Sequence, residues 1–347
     1  MCALQITIIS FSQNIEEKGM EKSYLVKPKG IALVWPEGLP VAYDGTNRKT
    51  LRGFYENLIE AIPKEIEITL IVKSQKIANS IKEVYNRKNV KTLVASRVKD
   101  IWIRDWAPLN LYNKGSVKSL KFKYQPAYLN IGEFEGDNES GHLISNSINS
   151  GTHPDFILDG GNFTYNGKGI GFITNRVISD NETFSIEEIE AIFNNNFGIN
   201  KLIILPVEPE DETGHIDGMV QFINPYTVAI GSYPSNTDAD EFLNKVAKLV
   251  EEEGIVNVIR ISNGKIIEEK NEGIASAVGN HINFLVLGNK IILPTYDGLD
   301  KSYLNEMEMY FNKENIIEIN CTELARLGGV IHCVTWEYYD GQFLKEY

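Results

Sequence analysis

Between residues 31 and 94, short apolar runs of two kinds alternate along the chain. Three of them are Ile31-Ala-Leu-Val-Trp35, Ile66-Glu-Ile-Thr-Leu-Ile-Val72 and Val90-Lys-Thr-Leu-Val94. Their length and their β-branched residues are typical of strands. Residues 51–62 and 77–85 instead place apolar side chains at helical spacing, and Pro63 ends the first of these helices. Strands that alternate with helices predict an α/β fold.

The same alternation recurs further along the chain. We expect helices at 186–193 and 238–252, strands at 202–205 and 255–261, and a hairpin at 163–165 and 170–174 around Asn166-Gly-Lys-Gly169. The mixture of hairpins and crossovers argues against a purely parallel sheet. No linker rich in Pro, Gly or Ser divides the chain, which predicts an N-terminal extension at 1–29 and a single domain at 30–347 built from repeated ββαβ modules.

Composition and charge exclude several classes of protein. The chain has 347 residues, of which 43% are apolar, and its 34 Lys and Arg against 47 Asp and Glu give a net charge of −13. Such a composition is that of a globular protein and argues against nucleic-acid binding, which needs a basic face. Because no apolar run approaches the ~20 residues that span a bilayer and no leader pattern precedes them, we expect a cytoplasmic protein without membrane contact.

Two segments place acids where they could bind a cation. Ile101-Trp-Ile-Arg-Asp-Trp106 sets Asp105 near two tryptophans, which suits a planar cation. A packed strand end with a surface Arg104–Asp105 ion pair is the simpler interpretation. Phe156-Ile-Leu-Asp-Gly-Gly-Asn162 leads from an apolar strand to an acid and two glycines. The acid either caps a turn or lies where the glycines let a ligand come close.

Two further segments contain candidate catalytic groups. In Gly214-His-Ile-Asp-Gly218, an extended chain would put His215 and Asp217 on one face, which suits acid/base chemistry. In Gly328-Gly-Val-Ile-His-Cys333, the β-branched run predicts a strand, so His332 would point away from Cys333 and His215 would be the better base. A lone Cys in a strand is usually a buried apolar residue. Cys2, near the N-terminus, and Cys321, which opens a predicted helix, are weaker candidates for a nucleophile.

Taken together and in this order, the four segments resemble the agmatine deiminase and bacterial peptidylarginine deiminase family, over roughly residues 31–337. The family belongs to the guanidino-group-modifying superfamily. The resemblance implies the pentein fold, an α/β-propeller of about five ββαβ repeats around a pseudo-fivefold axis. It also implies a guanidine deiminase, a C–N hydrolase that needs no metal or organic cofactor and acts on a small cationic substrate, and it allows a homo-oligomer.

The resemblance also implies a role for each matching residue. Cys333 matches the nucleophile and His215 the general acid/base. Asp105 and Asp217 match the two acids that bind the guanidinium, and Asp159 matches a third acid. Trp102 matches an aromatic residue of the guanidinium pocket, and Asn283 an Asn that some members place beside the substrate. The reaction implied is agmatine to N-carbamoylputrescine and ammonia, a step of putrescine biosynthesis, through a thiouronium intermediate on Cys333.

The sequence departs from the family pattern at three places, which leaves the substrate open. Asp159-Gly-Gly stands where agmatine deiminases usually carry Glu-Gly-Gly, Trp106-Ala-Pro108 replaces Thr-Gly-Pro, and Val330 replaces an Asn. Deimination of arginine in peptides or proteins is therefore the first alternative. An amidinotransferase, in which an amine takes the place of water, is the second. A pentein that only binds its ligand is disfavoured because it would need no thiol.

Overall fold

The computed structural model describes residues 25–39, 48–85, 89–113, 115–130, 132–264, 269–271, 273–342 and 344. Most of the predicted N-terminal extension, including Cys2, lies outside these residues. Within them, Lys29 already joins the first sheet, since its N–H donates to the Tyr338 carbonyl and its own carbonyl accepts from Glu67 N–H. The boundary at residue 29 stays a prediction.

Helices are interspersed among single strands and groups of strands along the described chain. The strands are β1 (Gly30–Val34), β2 (Glu67–Val72), β3 (Val90–Val94), β4 (Leu109–Asn113), β5 (Ser116–Lys123), β6 (Gly151–Ile157), β7 (Thr164–Tyr165), β8 (Ile170–Thr174), β9 (Lys201–Leu205), β10 (Val220–Asn224), β11 (Thr227–Ser232), β12 (Asn257–Ser262), β13 (Lys270–Asn271), β14 (Ile274–Ala275), β15 (Leu285–Leu287), β16 (Lys290–Thr295), β17 (Ile316–Asn320) and β18 (Trp336–Tyr338). The α-helices are α1 (Arg48–Ala61), α2 (Gln75–Val84), α3 (Ile103–Trp106), α4 (Glu135–Ser147), α5 (Arg176–Asp180), α6 (Ile186–Phe197), α7 (Asp238–Glu253), α8 (Tyr303–Glu308) and α9 (Thr322–Ala325). Short 3₁₀ turns lie at Gly160–Asn162, Ile216–Gly218 and Lys313–Asn315.

The α/β prediction is confirmed, and most predicted elements lie within two residues of the observed ones. The helix predicted at 186–193 is four residues longer because it continues to Gly198, which adopts φ +70° and caps the helix. The hairpin around Asn166 is confirmed, with Thr164 opposite Phe172. The helix expected after Cys321 is also present.

Five sheets repeat one pairing pattern, in which an antiparallel pair is followed by a parallel one. The orders are β4-β5-β6, β7-β8-β9, β10-β11-β12, β15-β16-β17 and β18-β1-β2-β3. In the last sheet the C-terminal strand β18 pairs antiparallel with β1, which itself pairs parallel with β2. The first and last described strands are therefore held in one sheet.

The apolar residues of the sheets and helices form a buried core. Strand β1 is fully buried, as are Leu51, Tyr55 and Leu58 of α1, which belong to the same apolar cluster. The first strands of all five sheets also line one cavity of about 120 Å³, to which β4, β7, β10, β15 and β18 each contribute residues. Among the described residues, no helix is both long and apolar enough to cross a membrane.

Candidate active site

Each of the five sheets contributes one segment to the site, and each segment comes directly before the sheet's first strand. Asp105 precedes β4, Asp159 precedes β7, and His215 and Asp217 precede β10. Asn283 precedes β15 and Cys333 precedes β18. Because these positions are equivalent in a repeated module, residues far apart in the sequence meet at one end of the molecule.

Cys333 lies in a turn, and the strand predicted for the β-branched run that carries it is wrong. Residues 331–334 form turns, after Gly328 adopts φ +103°. The Asn283 side chain takes the place of a neighbouring strand, because its Oδ1 accepts from His332 N–H at 3.0 Å and from Cys333 N–H at 3.3 Å. The thiol of Cys333 donates to the same oxygen at 3.4 Å. Asn283 therefore lies beside the proposed nucleophile and fixes the turn that carries it.

The turn also brings His332 toward the site rather than away from it. His332 Nδ1 lies 2.6 Å from Asp217 Oδ2, and the Cys333 Sγ lies 3.9 Å from the same oxygen. The prediction that His332 points away from Cys333 depended on the strand and is wrong with it, because both side chains reach Asp217. The turn-forming Gly328-Gly329 pair was the signal in the sequence that could have indicated this.

His215 and Asp217 do not share the face of an extended strand, as the sequence predicted. His215 is extended (φ −81°, ψ 138°), but residues Ile216–Gly218 turn into a 3₁₀ helix. His215 consequently faces Asp105 and Asp159, whereas Asp217 faces His332. Both side chains are buried. Asp217 forms one side of an acidic cluster whose other members are Asp105 and Asp159, and His215 lies beside those two.

The imidazole of His215 lies between two carboxylates. Its Nδ1 is 3.6 Å from Asp105 Oδ1 and its Nε2 is 3.3 Å from Asp159 Oδ2. Burial alone would lower the pKa of His215, but the charge of Asp105, the hydrogen bond and charge of Asp159, and the charge of Asp217 outweigh it and raise the pKa to about 10. His215 is therefore a cation at neutral pH.

The acids of the cluster respond differently to burial. Burial, together with the charges of Asp159 and Asp217, raises the pKa of Asp105 to about 8 although His215 opposes this. For Asp217 burial acts in the same direction, but the hydrogen bond and charge of His332 outweigh it and lower the pKa. Asp217 thus stays ionised and supplies negative charge that a guanidinium would balance.

Gly160 and Gly161, which follow Asp159, let Arg104, Asp105 and His215 pack closely against this turn. A Cβ added at Gly161 would lie 2.6 Å from both Asp105 Oδ1 and His215 Nδ1, and Gly161 N–H donates to Asp105 at 3.0 Å. A Cβ at Gly160 would lie 2.1 Å from the Arg104 carbonyl oxygen. Asp159 stands at the N-terminal cap of this turn but makes no capping hydrogen bond. Its carboxylate is directed to His215 instead.

Asp105 lies on the short helix α3, and Trp102 is the residue just before that helix. Asp100 Oδ1 fixes this turn, since it accepts from Trp102 N–H and Trp106 Nε1, each at 2.9 Å. The indole of Trp102 packs over Gly329, whose added Cβ would lie 2.5 Å from the ring and 3.1 Å from Cys333 Cβ. The surface ion pair between Arg104 and Asp105 is not formed, because Arg104 pairs with Glu337.

Burial dominates the chemistry of the two described cysteines. Burial raises the pKa of Cys333 well above its usual range, and the charges of Asp217 and Asp105 raise it further. Cys321 is buried more deeply, at 1% exposed against 9% for Cys333, and its thiol donates to the Ile319 carbonyl. Within the described ranges, no group of three or more His, Cys, Asp or Glu could hold a metal ion.

Comparison with known proteins agrees with this arrangement. Residues 25–338 match the family model of the Porphyromonas-type peptidyl-arginine deiminases. The chain is 25% identical to a putative agmatine deiminase of Lactococcus lactis, over 88% of this chain and 91% of that protein.

Solved structures with the same fold include two kinds of enzyme. A structure described as agmatine deiminase of Enterococcus faecalis catalysing its reaction superposes with a TM-score of 0.76 at 20% identity, covering 93% of this chain and 96% of that one. DDAH from Pseudomonas aeruginosa superposes with a TM-score of 0.52 at 12% identity, covering 90% and 100%. The α/β fold is therefore that of these pentein proteins. On the evidence of the family model, this chain belongs to the Porphyromonas-type peptidyl-arginine deiminase family.

Proposed function

We propose that this guanidine-modifying hydrolase converts agmatine to N-carbamoylputrescine and ammonia through a thiouronium intermediate on Cys333. The observation that supports this best is the convergence of a thiol, an imidazolium and three carboxylates. Cys333 contacts Asp217, and His215 contacts Asp105 and Asp159. The agmatine deiminases that align with most of the chain support the choice of substrate.

The three carboxylates suit a guanidinium group. A guanidinium remains cationic at any working pH and presents a planar set of N–H donors. Asp105 and Asp159 offer acceptors beside His215, Asp217 offers them beside Cys333, and each acid is at least nine-tenths buried at its side chain. We assign Trp102 to one face of the bound guanidinium, where an aromatic ring favours a planar cation.

Binding of the substrate would prepare the nucleophile. In the described structure, burial and two nearby acids keep the pKa of Cys333 high, so the thiol holds its proton. A guanidinium among the same acids adds positive charge next to the sulfur and lowers that pKa. The thiol proton then leaves to solvent, and the thiolate forms only when its target is in place.

The reaction proceeds in two halves. The Cys333 thiolate attacks the guanidinium carbon, and a C–S bond forms in a tetrahedral adduct. His215, which is cationic at neutral pH, donates its proton to the leaving nitrogen, and ammonia departs as the C–N bond breaks. Neutral His215 then deprotonates a water molecule that attacks the thiouronium carbon. The C–S bond breaks while the hydroxyl of this second adduct loses its proton to solvent, so the ureido product departs and Cys333 is left as a thiolate.

Peptidyl-arginine is the second candidate, because the matching family model is described by that activity. The depth of the site favours a small substrate, since Cys333 and His215 are only 9% and 8% exposed. An amidinotransferase would use the same groups with an amine in place of water.

One assay distinguishes these functions. The protein is incubated with agmatine, free arginine or an arginine peptide, with and without an added amine, and ammonia and ureido product are measured. We expect ammonia from agmatine, and loss of at least ~10³-fold in kcat for Cys333→Ser. Cys321→Ser is the matched control and should retain activity. Silence with all three substrates would refute the proposal, and activity that survives in Cys333→Ser would refute the mechanism.

For the fold, we propose that the five repeated sheets are the blades of a pentein propeller around a pseudo-fivefold axis. The cavity lined by the first strand of every sheet supports this arrangement. The cytoplasmic location and the homo-oligomer stay predictions.

A further inference from the structure

The Arg104 side chain and backbone bind the turn that carries Cys333. Arg104 N–H donates to the Cys333 carbonyl at 3.2 Å, and Arg104 Nε donates to the His332 carbonyl at 3.3 Å. The third contact is an ion pair, Arg104 Nη2 to Glu337 Oε2 at 2.6 Å. One residue therefore binds the carbonyls of the nucleophile and of its neighbour, together with the strand that follows.

Glu337 is placed to hold the guanidinium group of Arg104 in this orientation. It lies in β18, three residues from the end of the turn, and the side chains of Arg104 and Glu337 are only 12% and 16% exposed. Burial would raise the pKa of Glu337, but the charges of Arg104 and His332 and the hydrogen bond from Arg104 lower it. The pair is thus ionised, and removal of one partner would leave a buried charge unbalanced.

The position of Arg104 in the chain connects the nucleophile to the acids. Arg104 lies on α3, between Trp102 and Asp105. Gly160, which follows Asp159, packs against the Arg104 carbonyl so closely that an added Cβ would lie 2.1 Å from it. Three segments of the site, at 102–105, 159–161 and 332–337, therefore meet at this one residue.

We propose that Arg104 is a positioning residue that sets the Cys333 thiol relative to Asp105 and Trp102, with Glu337 as its counter-ion. A lysine could not replace it, because its ammonium is a point charge that cannot span the His332 carbonyl and the Glu337 carboxylate as a planar fork does. Displacements of about 1 Å at a reacting centre can cost on the order of 10²-fold in rate. Only the kcat part of the test rests on the proposed deiminase function.

The experiment compares Arg104→Lys, Arg104→Met, Glu337→Gln and the double variant Arg104→Met/Glu337→Gln with the unmodified chain. We expect kcat to fall roughly 30- to 100-fold in Arg104→Met and at least ~10-fold in Arg104→Lys, with KM within about threefold. The matched control is Arg97→Met, which removes an exposed ion pair to Glu139 and should leave kcat within about threefold.

Alkylation of Cys333 by iodoacetamide, followed by peptide mass spectrometry across pH, gives a second readout that needs no turnover. In Arg104→Met the unbalanced Glu337 charge should move the alkylation profile upward by about one pH unit. In the double variant the alkylation profile should return to that of the unmodified chain. The kcat should stay low, because Arg104 no longer binds the turn that carries Cys333. That separation distinguishes positioning from charge balance.

Two outcomes would overturn the proposal: kcat within threefold of the unmodified chain in Arg104→Lys, or recovery of kcat in the double variant. If Arg104→Met does not fold by circular dichroism, Arg104→Lys and Glu337→Gln decide the question, because both nearly preserve side-chain volume. If the unmodified chain releases no ammonia from any guanidine, the proposed function fails. Arg104 is then tested by the rate of alkylation above the profile midpoint, where a curve unchanged in Arg104→Lys would refute its role.

Discussion

His215 and His332 lie at similar depth on opposite sides of the acidic cluster, with 8% and 12% of their side chains exposed, yet their neighbours differ. Both ring nitrogens of His215 face carboxylates, those of Asp105 and Asp159. His332 reaches one carboxylate, Asp217, through Nδ1, and its backbone is bound by Asn283 and Arg104.

The difference indicates two kinds of contribution from the same residue type. The His215 ring is bound by carboxylates at both nitrogens, which suits the proposed role of giving up and recovering a proton. His332 is held at its backbone as well, so it fixes the turn that carries Cys333 and keeps Asp217 ionised. Burial and a carboxylate partner therefore do not by themselves identify a catalytic histidine.

Replacement of His215 should have the largest effect. We expect His215→Asn to lower kcat for agmatine roughly 10³-fold, because the leaving nitrogen loses its proton donor and the hydrolytic water loses its base. Ammonia release under saturating substrate is the measurement. Alkylation of Cys333 should persist and shows that the site is intact; a loss in kcat below tenfold would assign acid/base catalysis to another group.

The same residue should make stability depend on pH. The pKa of His215 is raised to about 10 in the folded protein from its usual 6.5, so its stabilisation is complete below about pH 6.5 and is lost as the pH rises to about 10. Urea unfolding of the unmodified chain and of His215→Asn should therefore differ most near pH 6. The difference should shrink by at most ~1.4 kcal/mol per pH unit above it. A difference that grows with pH would contradict the ion pairs of His215.

Replacement of His332 should have an intermediate effect that depends on the substitute. His332→Ala removes the donor to Asp217, and we expect kcat to fall roughly 10- to 100-fold. In His332→Asn an amide nitrogen stands near the position of Nδ1, so most of the activity should return. Equal losses in the two variants would mean that the ring itself, rather than its hydrogen bond to Asp217, is needed.

The elements of the fold could be predicted from the sequence because their signals are local. Apolar periodicity, Pro63 and the hairpin glycines near Asn166 depend only on neighbouring residues, and they located strands and helices to within a few residues. Most chemical groups of the site could be named as candidates from the sequence, but only the resemblance to a family favoured them over the simpler interpretations. Their roles stay predictions until they are measured.

Two of the errors in the sequence-based predictions concern contacts between distant segments. The strand predicted around Cys333 failed because Asn283, some 50 residues earlier, binds the backbone of the turn. The surface ion pair predicted for Arg104 failed because Glu337, 233 residues away, is its partner. Periodicity carries no information about such partners, and only the repeated positions before each first strand bring them together.

Replacement of Asp159 should have the smallest effect on activity. The family pattern that the sequence resembles has Glu at this position, and Asp159 Oδ2 already reaches His215 Nε2 at 3.3 Å. Asp159→Glu keeps the charge but moves the carboxylate by about a bond length, so we expect kcat/KM for agmatine to fall roughly 3- to 10-fold. Asp159→Asn removes one of the charges that raise the pKa of His215 and should cost more than Asp159→Glu, with the alkaline limit of kcat moved to lower pH. Steady-state kinetics from pH 6 to pH 10 measure both variants, and a larger loss in Asp159→Glu than in Asp159→Asn would show that the length of this side chain matters more than its charge.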